Sequence, residues 1–194
     1  MNSGSLGIGL LGLGNVGSGV AQELIKNKEL LSERAGINLE LRKVLVRDAH
    51  KPRLVDLNSA LLTTNWKDLF DDPNVNLIVE LIGGEVPAKK YIELALSKGK
   101  HVVTANKELI AKYGQELLSL AQDSKVNLLF EGSVGGSIPI ISALTRDLGA
   151  NRIDVIRAII NGTSNFILTA MSENNMDRAR ALDLAQKLGY AESD

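Results

Sequence analysis

The sequence GLLGLGNVGSGV occupies residues 9–20 and contains the pattern Gly-x-Gly-x-x-Gly at Gly12, Gly14 and Gly17. A compact apolar run at residues 6–11 comes directly before this pattern, and apolar residues at helical spacing follow it. In a strand-to-helix turn, the first glycine permits the tight bend, the second lets the backbone approach a pyrophosphate, and the third lets helix and strand pack closely. The pattern predicts a dinucleotide-binding turn with the helix N-terminus at the phosphates; a purely structural turn is the alternative.

The same alternation of a short aliphatic run and a longer helical pattern continues along the chain. We predict further strands at residues 39–46, 77–82, 101–105 and 126–130, and helices at about 16–36, 87–98 and 106–123. Short strands that alternate with helices are typical of right-handed βαβ units and a parallel sheet. The predicted fold class is therefore α/β, with a Rossmann-type doubly wound parallel sheet.

The pattern changes after residue 131. A glycine-rich loop precedes a predicted helix at about residues 139–148, and a strand is predicted at residues 153–160. The loop NGTSN then precedes a helix that we expect to begin near Phe166, with Thr163 or Ser164 as a candidate N-cap. We place a domain boundary near residues 131–135.

Composition narrows the class of protein. The 194 residues carry 22 basic and 23 acidic side chains, so no strong net charge attracts nucleic acid or an anionic membrane. No apolar run is long enough for a membrane span, and the first residues do not resemble a secretory signal. The absence of cysteine excludes disulfides and thiolate ligands. Only two histidines remain as imidazole ligands, so the sequence argues against a zinc site. We expect a cytoplasmic protein that acts on a small molecule.

The end of the second predicted strand bears on the choice of dinucleotide. An acidic residue there accepts hydrogen bonds from the adenosine ribose, whereas arginine suits a 2′-phosphate. Arg47 precedes Asp48, and Lys51 and Arg53 follow closely. This order favours NADP, with Arg47, Lys51 and Arg53 as cofactor ligands, while Asp48 keeps NAD open. The alternative is a group of solvated loop charges.

Polar residues follow the carboxyl ends of the later strands, where ligands bind in open α/β sheets. Lys107 lies in the first turn of a predicted helix, where the helix dipole disfavours a cation. It either holds a substrate oxygen, shares in proton transfer, or is an ordinary exposed lysine. From their places in these clusters, Gly83 and Thr104 are assigned to the cofactor, and Asn161 and Thr163 to a polar substrate. Glu80 interrupts an apolar run and lies either on a solvated face or near the nicotinamide, and it is assigned no role.

Glu131 follows the fifth strand of the sequence pattern and precedes a flexible glycine-rich loop. A carboxylate beside free backbone carbonyls resembles an oxygen site for a hard cation. The spacing alone favours a cap or a hydrogen bond to the loop over a cation site.

Six stretches of the chain together resemble the homoserine dehydrogenase family and occur in that family's order. They are GLLGLGNVGSGV, LIVELIGG, HVVTANKELIA, FEGSVGGSIPII, INGTSNFILTAM and ALDLAQKLGYAESD. The resemblance implies NAD(P)-dependent interconversion of L-homoserine and L-aspartate 4-semialdehyde, on the route from aspartate to threonine and methionine. Alternatives are another Rossmann amino-acid or semialdehyde dehydrogenase, or a dinucleotide-sensing domain without catalytic activity.

The resemblance also implies roles for single residues. Lys107 matches a lysine that contacts the cofactor beside the reacting centre, and Glu192 matches a glutamate that binds the amino group of homoserine. The pyrophosphate is assigned to Gly12, Gly14, Asn15, Val16 and Gly17. A monovalent cation such as sodium is assigned to Glu131 and to the backbone carbonyls of Val134, Gly136 and Ile138.

The family pattern continues past Asp194 with a lysine taken as the general acid/base. We therefore expect residues 1–132 to form the NAD(P)-binding Rossmann domain and residues 133–194 to form the incomplete start of a second, α+β domain for substrate binding and dimerisation. The full-length protein is expected to be a homodimer, and the 194-residue chain alone is expected to be inactive.

Overall fold

Six parallel strands form one sheet, and their spatial order shows how the chain is wound. The strands are β1 (Ser5–Leu11), β2 (Asn38–Leu45), β3 (Leu62–Thr63), β4 (Leu77–Glu80), β5 (His101–Thr104) and β6 (Leu128–Leu129). Their order across the sheet is β3-β2-β1-β4-β5-β6, and all neighbouring strands are parallel. Winding reverses between β1 and β4, which confirms the predicted Rossmann-type doubly wound sheet.

The computed structural model describes residues 4–53, 55–136, 138–159 and 161–191. The chain divides into two compact units between Ile141 and Ser142, and the sheet lies in the first of them. Within the described residues, no helix combines the length and the apolar character that crossing a membrane requires.

Helices cover the sheet of the first unit, and each face of the sheet has its own core. The helices are α1 (Asn15–Lys26), α2 (Lys28–Ala35), α3 (Lys67–Phe70), α4 (Ala88–Ser97) and α5 (Lys107–Asp123). Leu10 packs in one core with Ala21 of α1, whereas the next residue, Leu11, packs in the other core with Ile92 of α4 and Leu109 of α5. This alternation follows from the period of two in a strand. Each fully buried leucine or isoleucine contributes about 2 kcal/mol to stability.

Several elements of the first unit differ from their predicted bounds. Strand β3 was not predicted, because two residues are too short to show a period. The strand predicted at residues 126–130 contains only Leu128–Leu129. The helix predicted at about 16–36 is two helices, since Asn27 departs from helical geometry with φ −107° and ψ 21° between α1 and α2.

The second unit contains a π-helical segment, Ala143–Asp147, and the helices α6 (Gly162–Glu173) and α7 (Arg178–Lys187), which pack against each other. The strand predicted at residues 153–160 is wrong for its described part: residues 153–159 form neither strand nor helix, and Val155, Ile156 and Ile159 are exposed. Its composition suits a strand, but no strand in the described part of the chain pairs with its backbone groups, as a sheet requires.

The start of α6 also differs from the prediction. The helix begins at Gly162 rather than near Phe166, and the N-cap is Asn161. The Asn161 Oδ1 atom accepts a hydrogen bond from the backbone N–H of Ser164 at 2.7 Å. Asparagine is a strong N-cap residue, so the caps predicted at Thr163 and Ser164 are wrong.

The turn between β1 and α1 depends on two glycines that no other residue can replace without movement of the backbone. Gly12 has φ +94°, and its N–H donates to the Leu45 carbonyl at 3.0 Å. A Cβ atom on Gly17 would lie 2.3 Å from the Gly12 carbonyl oxygen. Gly17 therefore lets α1 begin directly against the end of β1.

Replacement of Gly17 by alanine should destabilise the protein. We expect Gly17→Ala to lower the free energy of unfolding by roughly 1–3 kcal/mol, since added atoms are forced into a packed site. Gly19 is the matched control: it is exposed on the same helix, and a Cβ there meets nothing within 4 Å. Gly19→Ala should raise stability by up to about 1 kcal/mol through helix propensity. Urea unfolding compares the two, and equal midpoints for Gly17→Ala and wild type would contradict this account.

Candidate functional site

The register of the sheet brings four strand ends to one level. Leu11 of β1 is aligned with Leu45 of β2 and with Glu80 of β4, and Glu80 is aligned with Thr104 of β5. The residues that follow these four positions therefore meet at one edge of the sheet. This carboxyl edge includes the point where the winding reverses, which is where open α/β sheets bind ligands.

The glycine turn at this edge has the features of a phosphate cradle. Gly14 is the N-cap residue of α1, and a Cβ atom built on it meets nothing within 4 Å. The first N–H groups of a helix have no partner within the helix and carry partial positive charge. Gly14, Asn15 and Val16 are exposed, so a ligand can reach this backbone. The residues present fit the pyrophosphate of a dinucleotide.

A buried carboxylate lies at the end of β4. Glu80 is 0% exposed, and its side chain forms no ion pair with any residue in the described ranges. Its Oε1 atom accepts the backbone N–H of Ile82 at 2.7 Å and that of Gly83 at 3.3 Å. Its Oε2 atom accepts the hydroxyl of Thr104 at 2.6 Å. The carboxylate thus joins the loop after β4 to the end of β5.

A second link between the same two loops runs through Asn106. The Thr104 hydroxyl oxygen accepts the N–H of Asn106 at 3.0 Å, and the Asn106 side chain donates to the Gly84 carbonyl at 2.6 Å. Asn106 Oδ1 also accepts the N–H of Leu109, which makes Asn106 the N-cap of α5. Glu80, Thr104 and Asn106 close a ring of hydrogen bonds with the loop at residues 82–84, and we refer to it as the Glu80 ring.

Lys107 is the first residue of α5, as the predicted position in the first turn requires. Its side chain is exposed and forms no hydrogen bond or ion pair within the described part of the chain. Asn106, its neighbour, is fixed by the Glu80 ring. The ring therefore holds the backbone that carries a free ammonium group at the carboxyl edge.

The loop after β2 divides the predicted basic residues into two kinds. The Arg53 guanidinium donates to the carbonyls of Asp48, Ala49 and Lys51, so it closes its own loop. Arg47 and Lys51 are exposed, and neither side chain pairs with a residue that the structure describes. Arg47 and Lys51 are therefore available to an anion, whereas Arg53 shapes the loop that presents them.

The segment after β6 carries the predicted cation ligands. The Glu131 Oε1 atom accepts the N–H groups of Ile140 and Ile141 at 2.6 and 3.0 Å, which matches the cap considered for this carboxylate. Within the described ranges, the carbonyls of Val134, Gly136 and Ile138 accept no hydrogen bond. No group of three or more acidic, histidine or cysteine side chains suited to a metal occurs among the described residues.

The predicted substrate residues lie in the second unit. The Thr163 hydroxyl donates to the Tyr190 carbonyl, and the rings of Phe166 and Tyr190 stack with centroids 4.8 Å apart. These two contacts join the start of α6 to the residues after α7. Asn161 is occupied as the helix cap, and Glu192 lies outside the described residues.

Comparison with known proteins gives the family. A family model described as "Homoserine dehydrogenase, NAD binding domain" matches residues 12–131, and one described as "Homoserine dehydrogenase" matches residues 139–194. The chain belongs to the homoserine dehydrogenase family. Its first part is the family's NAD-binding domain, and the glycine turn opens it.

Curated homoserine dehydrogenases are similar along almost the whole chain. Those of Bacillus subtilis and Neisseria gonorrhoeae are 46% and 45% identical over 187 residues. Each match covers 96% of this chain and 43% of the relative. The chain thus spans less than half the length of these homoserine dehydrogenases.

Solved homoserine dehydrogenases have the same fold. The enzyme from Thiobacillus denitrificans matches with a TM-score of 0.84 and 45% identity over 98% of this chain and 44% of that one. A hyperthermophilic archaeal homoserine dehydrogenase, solved in complex with NADPH, matches with a TM-score of 0.78 and 25% identity over 98% of this chain and 63% of that one.

Sequence reasoning assigned no role to Glu80, for which a solvated face is now excluded, and it did not single out Asn106. Each was visible as a polar residue at a strand end, and Glu80 interrupts an otherwise apolar run. Nothing in the sequence shows that both side chains bond to the same loop, because that loop is distant from Asn106 in the chain. The structure supplies this information through the pairing of β4 with β5.

The loop after β4 has a second attachment, through Glu85, which gives a pH-dependent prediction. Tyr113 donates a hydrogen bond to Glu85, and the Lys112 Nζ atom lies 2.9 Å from its other oxygen. The hydrogen bond from Tyr113 is the largest cause, and that from Lys112 the second, of a pKa for the Glu85 carboxyl that is lower than its ordinary value of 4.5. Tyr113→Phe should therefore raise the pKa of Glu85 towards that value, which a carbon-13 NMR titration of the carboxyl measures.

The same contact should stabilise the fold only where Glu85 is ionised. A carboxyl with a lowered pKa contributes stability above its unfolded pKa and loses it as the pH falls through the lower folded pKa. Tyr113→Phe should thus reduce the urea midpoint at neutral pH and have little effect once Glu85 is protonated. Tyr91→Phe is the control, since the Tyr91 hydroxyl bonds to no described residue. A pH-independent loss in Tyr113→Phe would contradict the prediction.

Proposed function

We propose that the protein to which these residues belong is an NAD(P)-dependent oxidoreductase that interconverts L-homoserine and L-aspartate 4-semialdehyde. The observation that carries this proposal is the match to both homoserine dehydrogenase family models, in order, along nearly the whole chain. A sensor of dinucleotides would need only the first of the two. The activity is assigned to the whole protein, because the chain spans 43% of its curated relatives.

The cofactor lies across the carboxyl edge of the sheet in this proposal. Backbone groups of the glycine turn bind the pyrophosphate at the N-terminus of α1, and Gly14 leaves room for it. When bound, the nicotinamide accepts a hydride from the carbon that carries the substrate hydroxyl. Gly83 is exposed and contacts the cofactor through its backbone. Thr104 is buried and its hydroxyl is used within the Glu80 ring, so it serves the cofactor by holding the loop that contacts it.

Lys107 acts on the reacting oxygen in this proposal. Its ammonium group is exposed at the carboxyl edge and pairs with no described residue, so it is free to donate a hydrogen bond. A cation beside the substrate stabilises the negative charge that develops on the substrate oxygen as the hydroxyl proton leaves. The unfavourable place of Lys107 at a helix N-terminus is then the cost of this function.

The structure supports NADP over NAD as the preferred cofactor. Arg47 and Lys51 present unpaired cations at the end of β2, where the adenosine ribose binds. The NADPH complex of the archaeal homoserine dehydrogenase is consistent with this preference. Arg53 contributes by closing the loop and not through a free guanidinium.

The remaining assignments concern the cation, the substrate and the assembly. Three free carbonyls, those of Val134, Gly136 and Ile138, together with Glu131, suit a monovalent cation such as sodium. We assign the binding of homoserine to Asn161, Thr163 and Glu192. The boundary between the cofactor domain and the substrate domain is assigned between residues 132 and 133. The whole protein acts as a cytoplasmic homodimer with no nucleic-acid or membrane partner.

Gly14→Val tests the cofactor site in the 194-residue chain. The wild-type chain should bind NADPH or NADH, and the valine side chain should abolish binding because it fills the space that the pyrophosphate needs. The free energy of unfolding should change little, since the added Cβ meets nothing within 4 Å. Calorimetric titration measures affinity. Unchanged affinity in Gly14→Val would remove the glycine turn from the site.

Arg47→Ala tests the preference for NADP. Loss of a charge-assisted contact to the 2′-phosphate is worth about 1.5–3 kcal/mol, so NADPH affinity should fall roughly tenfold to hundredfold while NADH affinity holds. Arg34→Ala is the control for the loss of an arginine, since Arg34 is exposed at the end of α2. An equal effect of Arg47→Ala on both cofactors would refute the preference.

The substrate assignment is tested in the whole gene product. Homoserine-dependent reduction of NADP should be measurable spectroscopically, and Lys107→Ala should reduce kcat far more than it weakens cofactor binding. Reduction of cofactor by other amino alcohols but not by homoserine would place the protein with the alternative dehydrogenases.

A further inference from the structure

The buried carboxylate of Glu80 lowers the stability of the fold unless other groups compensate its charge, so its presence calls for an explanation. On the same face of β4, its neighbour Ile78 packs into the apolar core against α4 and α5. A charge at such a position costs stability unless it is fully hydrogen-bonded. Glu80 receives three donors, from Ile82, Gly83 and Thr104. An apolar side chain would fill the space without this cost but could not bind those three groups.

Two of the donors, Ile82 and Gly83, belong to the loop after β4, and the third, Thr104, ends β5 at the same edge. Gly83 has φ +76° and Gly84 has φ +67°, and a Cβ on either would meet nothing within 4 Å, so no packing on the side-chain side of the glycines holds this loop. The loop is fixed instead by Glu80 at Ile82 and Gly83, and by Asn106 at Gly84. The same ring fixes the backbone before Lys107.

The order of the strands shows which half of a dinucleotide these loops face. The pyrophosphate lies over the turn after β1, and the adenosine ribose is read at the end of β2. In the order β3-β2-β1-β4-β5-β6, the loops after β4 and β5 lie on the other side of β1 from β2. The Glu80 ring therefore lies on the nicotinamide side.

We propose that Glu80 is a positioning residue, which acts through Thr104 and Asn106 to hold the loop at residues 82–84 and Lys107 in the geometry that receives the nicotinamide half of the cofactor. The inference rests on the proposed dinucleotide-binding function. It predicts that weakening the Glu80 ring lowers affinity for the whole cofactor but leaves affinity for its adenosine half unchanged. A purely structural role for Glu80 would not separate the two ligands.

The chain offers a matched control on the opposite side of the sheet. Thr63 ends β3, its hydroxyl donates to the Asp68 carboxylate at 2.5 Å, and its oxygen accepts the N–H of Asn65 at 3.0 Å. Thr104 has the same arrangement, with Glu80 as the carboxylate and Asn106 as the N–H donor two residues later. Both threonines are buried. Thr63→Val and Thr104→Val thus remove the same interactions at different places.

The experiment measures two pairs of ligands, each a whole cofactor and its adenosine half, against three variants of the 194-residue chain. The variants are Glu80→Gln, Thr104→Val and Thr63→Val. The ligands are NADPH with adenosine 2′,5′-bisphosphate as its adenosine half, and NADH with ADP as its adenosine half. Titration calorimetry gives each dissociation constant, and thermal unfolding of the same samples records stability.

We expect Glu80→Gln and Thr104→Val to weaken binding of the whole cofactor by about tenfold, as loss of a hydrogen bond to a charged group predicts, with the adenosine half unaffected. Thr63→Val should not change the ratio between whole cofactor and adenosine half, even where it lowers the unfolding temperature. The inference is overturned if both ring variants bind the whole cofactor as wild type does, or lose both ligands equally. If the wild-type chain binds neither NADPH nor NADH, the proposed function fails first, and this inference fails with it.

Discussion

The approach of α1 to the end of β1 is the constraint on which the site depends. A Cβ on Gly17 would overlap the Gly12 carbonyl oxygen at 2.3 Å, so only glycine lets the helix begin there. The consequence is a helix N-terminus aimed across the carboxyl edge at the place where winding reverses. Gly12 and Gly17 thus bring the helix N-terminus to this place, and Gly14, which has no side chain, leaves the space beside it open to a ligand.

Buried polar groups add to apolar packing in organising the rest of the edge, where Leu81 and Ile82 pack against the two cores. The exposed part of the loop after β4, Gly83 and Gly84, has no side chains with which to pack, so its backbone must be held in another way. Glu80 and Asn106 hold the loops without blocking a ligand, because they are buried beneath the loops and bind their backbone groups. They thereby place the backbone of Lys107 at the carboxyl edge, while its exposed side chain stays free to pair with a ligand.

Much of this architecture was predictable from the sequence, because glycine spacing and strand periodicity report local geometry. Short stretches were enough to predict the glycine turn, the strands β1, β2, β4 and β5, the helices α4 and α5, and the place of Lys107 at the start of α5. What could not be predicted depends on distant residues. The strand expected at residues 153–160 lacks a described partner strand, and the Arg53 side chain binds carbonyls of its own loop. The role of Glu80 becomes visible only in the structure, where β4 pairs with β5. The roles assigned to the cation and substrate residues stay predictions.

The most direct test of the central claim, that the cofactor binds across the carboxyl edge between β1 and β4, is an amide NMR titration of the 194-residue chain with NADPH. The account predicts shifts in the glycine turn, at Arg47, in the loop at residues 82–84 and at Lys107. The amides of Asn76, Lys100 and Asn127, at the amino ends of the strands, should stay unchanged. Shifts centred on those amino ends, with the glycine turn unaffected, would contradict the account.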